Sequence, residues 1–261
     1  MAFLKLAVWT TLLLLACSPT FARAGGPIRV RLIEGNVHGF LILRAMNGTA
    51  IAQGELVQRP RDGGIDSQLI LTFNDGSLWD ERVTFSQKDV FRLEAYRLRQ
   101  RGPSFPLSEI AFERRTGRFE ARTQVTKQDE VKAASGDLPM PTDLYNGMAL
   151  VLLKNLSPGS GASVHMAVFT PKPRLVQMNL ISEGEDVVRL GGASKKARRY
   201  LVKLEIGGLT GAVASLIGKD PPDVRYWLVS GDVPAFVRFQ GAMYLNGPVW
   251  RLELTTPEWP S

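Results

Sequence analysis

The sequence predicts a mainly β protein (β-rich α+β). The expected form is a strongly curved antiparallel sheet, or open half-barrel, wrapping one central buried helix. Three observations predict it. Short segments of alternating apolar and polar residues recur along the chain, separated by turns rich in Gly, Asn and Asp. One segment, at about 142–156, is apolar on nearly every side, and a helix apolar all round must be buried all round. No internal repeat or low-complexity linker divides the chain, so residues 25–261 are read as one curved-sheet domain.

Residues 1–24 read as a signal peptide. Lys5 gives a positive start and Leu6 to Ala16 an apolar core too short to span a bilayer permanently. Two processing sites compete. Ala22-Arg23-Ala24 fits the small-x-small rule, with cleavage before Gly25. Leu14-Leu15-Ala16-Cys17 resembles a bacterial lipobox. In that alternative residues 1–16 are a lipoprotein signal and Cys17 is lipidated. Ser18 after it, by resemblance to Gram-negative lipoproteins, then favours the outer membrane. The protein is accordingly expected to be exported: periplasmic, tethered to the outer membrane, or secreted.

Composition narrows the function classes. Without Lys5 and Arg23 the 32 basic residues fall to 30, against 25 acidic ones. This mild excess suits an anionic envelope surface or simple solubility. No nucleic-acid motif accompanies it, so nucleic acid is not an expected partner. The one cysteine, Cys17, lies in the leader. A mature chain starting at Gly25 therefore has no internal disulfide, thiol nucleophile or thiolate metal site.

From residue 28 the pattern is strand, turn, strand. Ile28 to Ile33 alternates Ile28, Val30 and Leu32 with Arg29 and Arg31. Val37 to Arg44 and Thr49 to Gln58 flank Asn47-Gly48, a strong hairpin signal. Ile65 to Phe73 ends at Asn74-Asp75-Gly76. Ser77 to Gln87 and Val90 to Gln100 pair around Lys88-Asp89, and Leu107 to Glu113 and Phe119 to Thr126 flank a turn at Gly117. Residues 127–137 are the one stretch where order is least expected. Thr142 or Asp143 is the expected N-cap of the buried helix, which Pro158-Gly159 ends. Strands resume at Ser163 to Thr170, Leu175 to Glu183, Asp186 to Leu190 and Arg198 to Ile206. A short second helix is expected near 209–217. Asp220-Pro221-Pro222-Asp223 is a rigid break. Val224 to Val229, Phe236 to Gln240 and Val249 to Leu254 close the chain.

Within residues 198–254, the run Asp220-Pro221-Pro222-Asp223-Val224-Arg225-Tyr226-Trp227-Leu228 is followed by Gly231-Asp232-Val233-Pro234-Ala235-Phe236-Val237-Arg238. A strand with a tryptophan thus precedes a proline-led strand. This is similar to uncharacterised bacterial exported or periplasmic proteins of the domain-of-unknown-function kind. Those resemble in architecture the lipoprotein-carrier folds, a half-barrel with a helix plugging its concave face. The resemblance implies a fold and a compartment and supplies no catalytic residues.

His38 and His165 are distant in sequence and both fall on strands, so a structural zinc site is not expected. No Gly-x-Ser-x-Gly elbow appears. In the glycine-rich stretch 207–219, Val213 stands where a phosphate loop needs glycine and Asp220 replaces the metal-binding hydroxyl. No cofactor is expected. Asp80 and Glu81 are adjacent on a strand and point to opposite faces, so they are not a glycosidase pair. Glu183 to Asp186 reads as a solvated turn. Lys195, Lys196, Arg198 and Arg199 form the densest basic run, either a solvated loop tip or a contact to an anionic membrane surface. Asp143, Asn146, Lys154 and Asn155 are the polar positions on the buried helix and are the candidate rim of a cavity.

Together these readings favour a non-enzymatic envelope protein that binds or carries a lipid, an acyl chain or an apolar segment of another protein. A structural or assembly partner is the alternative, and a hydrolase acting on envelope material the second alternative.

Overall fold

Fourteen strands form one antiparallel sheet in the computed structural model, which describes residues 25–170, 172–190, 193–205, 223–231 and 233–255. The leader with Cys17, the expected helix near 209–217 and the whole glycine-rich stretch 207–219 lie outside the described residues. The fold is mainly β, with one helix among the described residues and a sheet that does not close on itself.

Seven strands follow the hairpin pattern of the sequence: β1 (Val37–Ala45), β2 (Ala50–Arg61), β3 (Gly64–Phe73), β4 (Leu78–Gln87), β5 (Phe91–Arg101), β6 (Ser108–Glu113) and β7 (Arg118–Thr123). Each pairs with its neighbour in the chain. Alternation decides which face is which. On β5, Leu93, Tyr96, Leu98 and Gln100 are buried while Arg97, Arg99 and Arg101 face solvent. The bulge at Thr84/Phe85 opposite β5 resets this parity once.

Four expectations are corrected. Ile28 to Ile33 is no strand. Its backbone is taken up singly: Ile28 donates to the Tyr145 hydroxyl, Val30 to the Asp89 carbonyl, and Arg31 and Leu32 to Asn155 Oδ1. Its alternation reflects a segment lying over the helix. The stretch least expected to be ordered contains β8 (Lys132–Asp137), which pairs with β7. Its small side chains hid the strand. The two strands expected at 175–190 are one 19-residue strand, β10 (Lys172–Leu190), with a bulge at Glu183 rather than a turn there. The helix is α1 (Ala149–Asn155), not 142–156, and Met148 is its N-cap. Asn146-Gly147 makes a turn there, with Gly147 at φ +67, where residues other than glycine are strained.

The remaining strands are β9 (Ala162–Thr170), β11 (Ala193–Glu205), β12 (Val224–Val229), β13 (Ala235–Ala242) and β14 (Val249–Thr255). Pairing of β14 with β1 joins the two halves, so the sheet runs from edge β8 to edge β9. Edge β9 approaches the other end of the sheet through a side chain: the Phe169 ring lies 6.1 Å from Phe112 of β6 and 5.6 Å from Phe119 of β7. The free side of β9 is covered. Asp143 and Tyr145 exchange backbone hydrogen bonds with His165, and the Asn146 amide bonds both the N–H and the C=O of Ala167. Arg114 holds this covering segment, donating to the carbonyls of Leu93, Met140 and Pro141. An edge covered in this way has lost its template for further strand pairing.

Helix α1 sits against the concave face, with Val151, Leu152 and Leu153 buried. Tyr145, just before it, is fully buried and donates its hydroxyl to the Phe91 carbonyl. Burial pushes that phenol up to about 12. Each buried aliphatic side chain of this kind contributes about 1.5–3 kcal/mol.

Candidate functional site

The core does not fill the concavity. Two adjoining lobes that share lining residues remain, of about 320 and 280 Å³, near the lower end of the roughly 300–1,000 Å³ usual for ligand pockets. The first lies between β4–β5, where Tyr96 and Leu98 face inward, and β9, where Val168 does. The second is bounded by α1 (Ala149, Leu150) and by Met178, Tyr226 and Phe239 of the far half-sheet. Trp79, Glu81, Gly147 and Met166 line both.

Glu81 is the polar centre of this wall. Strand alternation places it inward between Trp79 and Val83, and its Oε1 accepts a 2.8 Å hydrogen bond from the Tyr96 hydroxyl. Burial raises the Glu81 carboxyl above the usual carboxylate range. The Tyr96 phenol is pushed well up, first by burial and then by the Glu81 charge. The Tyr226 phenol is raised by the same two causes in the same order. Gly147 lets the turn approach this carboxyl: a methyl group there would stand 2.6 Å from Val83 Cγ2 and 3.2 Å from Glu81 Cδ. The Trp79 indole N–H is buried with no hydrogen-bond partner among the described residues. The cavity is thus apolar, with one carboxyl that lacks a cationic partner and one unpaired donor in its walls.

The four candidate rim residues separate. Asn146 lines the first lobe while bonding Ala167. Asp143 Oδ2 is 2.9 Å from His165 Nδ1. Lys154 Nζ is 2.6 Å from Glu34 Oε2, and Asn155 bonds residues 31, 32 and 151. These three tie segments together and line neither lobe. Asn146→Ala leaves a buried N–H and C=O of Ala167 unpaired. It is expected to cost about 2–3 kcal/mol and to speed amide exchange at residues 165–169, measured by hydrogen–deuterium exchange.

The basic run is a strand and not a loop tip. Arg199 is 3.0 Å from Glu183 and 2.7 Å from Asp186, and Arg198 is 3.7 Å from Glu185. Lys195 and Lys196 are exposed. The acids expected in a solvated turn are therefore half of an ion network on the outer face, which also takes in Arg225. The Trp227 indole N–H donates to Asp186, and Arg238 lies over the Trp227 ring. The Trp227 hydrogen bond, followed by Arg199, holds the Asp186 carboxyl below the usual range. A depressed folded pKa contributes stability above the unfolded value, about 3.9, and loses it as pH falls through the folded value. Asp186→Asn is therefore expected to flatten stability against pH below about pH 4, as read by acid titration of circular dichroism.

No family model matches the chain, and no curated protein does. Among solved structures it is similar to a β-barrel-like protein of domain of unknown function DUF1849 from Brucella abortus. That likeness covers 86% of this chain and 98% of the other at 7% identity, with a TM-score of 0.48.

Proposed function

We propose that the protein is a non-enzymatic binding protein of the cell envelope that holds a hydrophobic ligand, such as a lipid or an acyl chain, inside its curved sheet. The observation that carries the reading is the pair of adjoining, mostly apolar lobes on the concave face, the second of them bounded by α1. A concavity of this size leaves apolar walls in contact with water, and a hydrophobic ligand seated in it would bury that surface. Export to the envelope rests on the leader in residues 1–24.

Two observations favour binding over the other readings. Neither histidine lines the cavity: His38 pairs with Glu55 on the exposed surface and His165 with Asp143. The free edge β8 is six residues long, opens with Lys132 and closes with Asp137, features that discourage strand addition by a partner.

Ala242 lines both lobes. Ala242→Phe is expected to fill them, abolishing binding of a hydrophobic fluorescent probe and any small molecule retained in native mass spectrometry, with circular dichroism unchanged. Equal probe binding in the wild type and in Ala242→Phe would sink the reading.

A further inference from the structure

We infer that the cavity selects amphiphiles whose polar group donates hydrogen bonds, such as an amine or an alcohol, and excludes free fatty acids of the same chain length. The inference rests on the carrier reading and names the ligand's chemistry. Its ground is the placement of Glu81 on the wall shared by the two lobes. Among the residues that line both lobes Glu81 is the one ionisable group, so a ligand that occupied both would lie beside this carboxyl.

Only one of the two Glu81 oxygens is satisfied, by the Tyr96 hydroxyl. No lysine, arginine or histidine forms an ion pair with Glu81 among the described residues. A carboxyl in an apolar site accepts hydrogen bonds and gains from a donor or a cation. A second carboxylate beside it would force one of the two to hold a proton. The Tyr226 phenol feels the Glu81 charge and also lines the second lobe. Its hydroxyl has no hydrogen-bond partner among the described residues, so it can receive or donate one to the same ligand group. The remaining walls, among them Met166, Val202 and Leu204, are apolar and suit a chain.

The charged groups elsewhere on the lining are Arg174, Lys203 and Asp223, all on the first lobe. Arg174 and Lys203 are exposed. An anionic headgroup held there is the competing arrangement, and the experiment separates the two.

The test is calorimetric titration of the purified protein at pH 7.5 with octylamine, 1-octanol and octanoate, each below its aggregation limit. Octylamine and octanol are expected to bind at least about tenfold tighter than octanoate. In Glu81→Gln the preference for octylamine over octanoate is expected to shrink to within about threefold. Octanoate binding as tightly as octylamine in the wild type overturns the inference and leaves the carrier reading standing. So does a preference unchanged in Glu81→Gln. Loss of octanoate binding in Arg174→Ala would then place the anion at the first lobe's outer wall. No binding by any probe overturns both the inference and the carrier reading. The wild-type order alone decides the matter if Glu81→Gln does not fold.

Discussion

Gly54→Ala is expected to destabilise the protein by about 3–5 kcal/mol, lowering Tm by roughly 6–20 °C, or to prevent folding outright. Gly54 lies in the middle of β2, paired with Leu41 on one side and Leu71 on the other. A Cβ on it would fall 1.8 Å from the Ile70 carbonyl oxygen, a backbone atom that no side-chain rotation can move aside. Gly64, at the start of β3, shows the same crowding against the Phe85 carbonyl at 2.2 Å. These strands approach and coil so closely because the sheet must curve around α1 instead of lying flat. Glycine inside a strand is costly in itself and marks such bends. Gly35 is the control: nothing lies within 4 Å of a Cβ there, and Gly35→Ala is expected to change stability by less than about 0.5 kcal/mol. Thermal melts of the two variants decide it. A small effect at Gly54 would mean that β2 and β3 are further apart than described.

The sequence made most strands legible because strand information is local. Period-two alternation and the turns at Asn47-Gly48, Asn74-Asp75-Gly76 and Gly117 locate β1 to β7 to within a few residues. Several of the errors share a cause. Where a segment's partner is remote in sequence, the local pattern misleads. Ile28 to Leu32 alternates like a strand, yet Tyr145 and Asn155, more than 110 residues away, take its amides. Leu144 and Tyr145 read as helix because they are apolar, but their backbone is drawn to His165 on β9. Asn146-Gly147 is a turn dipeptide that could have ended the helix reading earlier. The ion network was hidden for the same reason, since Glu183, Arg199, Trp227 and Arg238 meet only across four strands. Among the candidate rim residues, only Asn146 reaches the cavity wall. Glu81 was visible only as half of a rejected carboxylate pair. Its signal was a carboxylate at an inward position between Trp79 and Val83, and that position acquires meaning only once the sheet curls around a void.

Lys154→Met is expected to cost about 3–5 kcal/mol, and the double variant Lys154→Met/Glu34→Leu less than either single change. The pair is enclosed: the Lys154 side chain is 12% exposed and that of Glu34 2%. Glu34 Oε1 has no partner among the described residues, and the backbone of Glu34 is clamped by the Gln87 side-chain amide at both its N–H and its C=O. With Lys154 gone, the carboxylate has no cation and little water. Leaving one member of a buried pair unmatched is the expensive case. Removing both charges exchanges a desolvated pair for apolar contacts beside α1, which is often nearly neutral. Because Asn155 holds Arg31 and Leu32 at the same helix end, the single variants should also loosen residues 28–36 as a unit. Urea denaturation of the four-member cycle, read together with amide exchange over those residues, measures both effects. Strictly additive costs would mean that water reaches the pair and that segment 28–34 does not seal the helix as described.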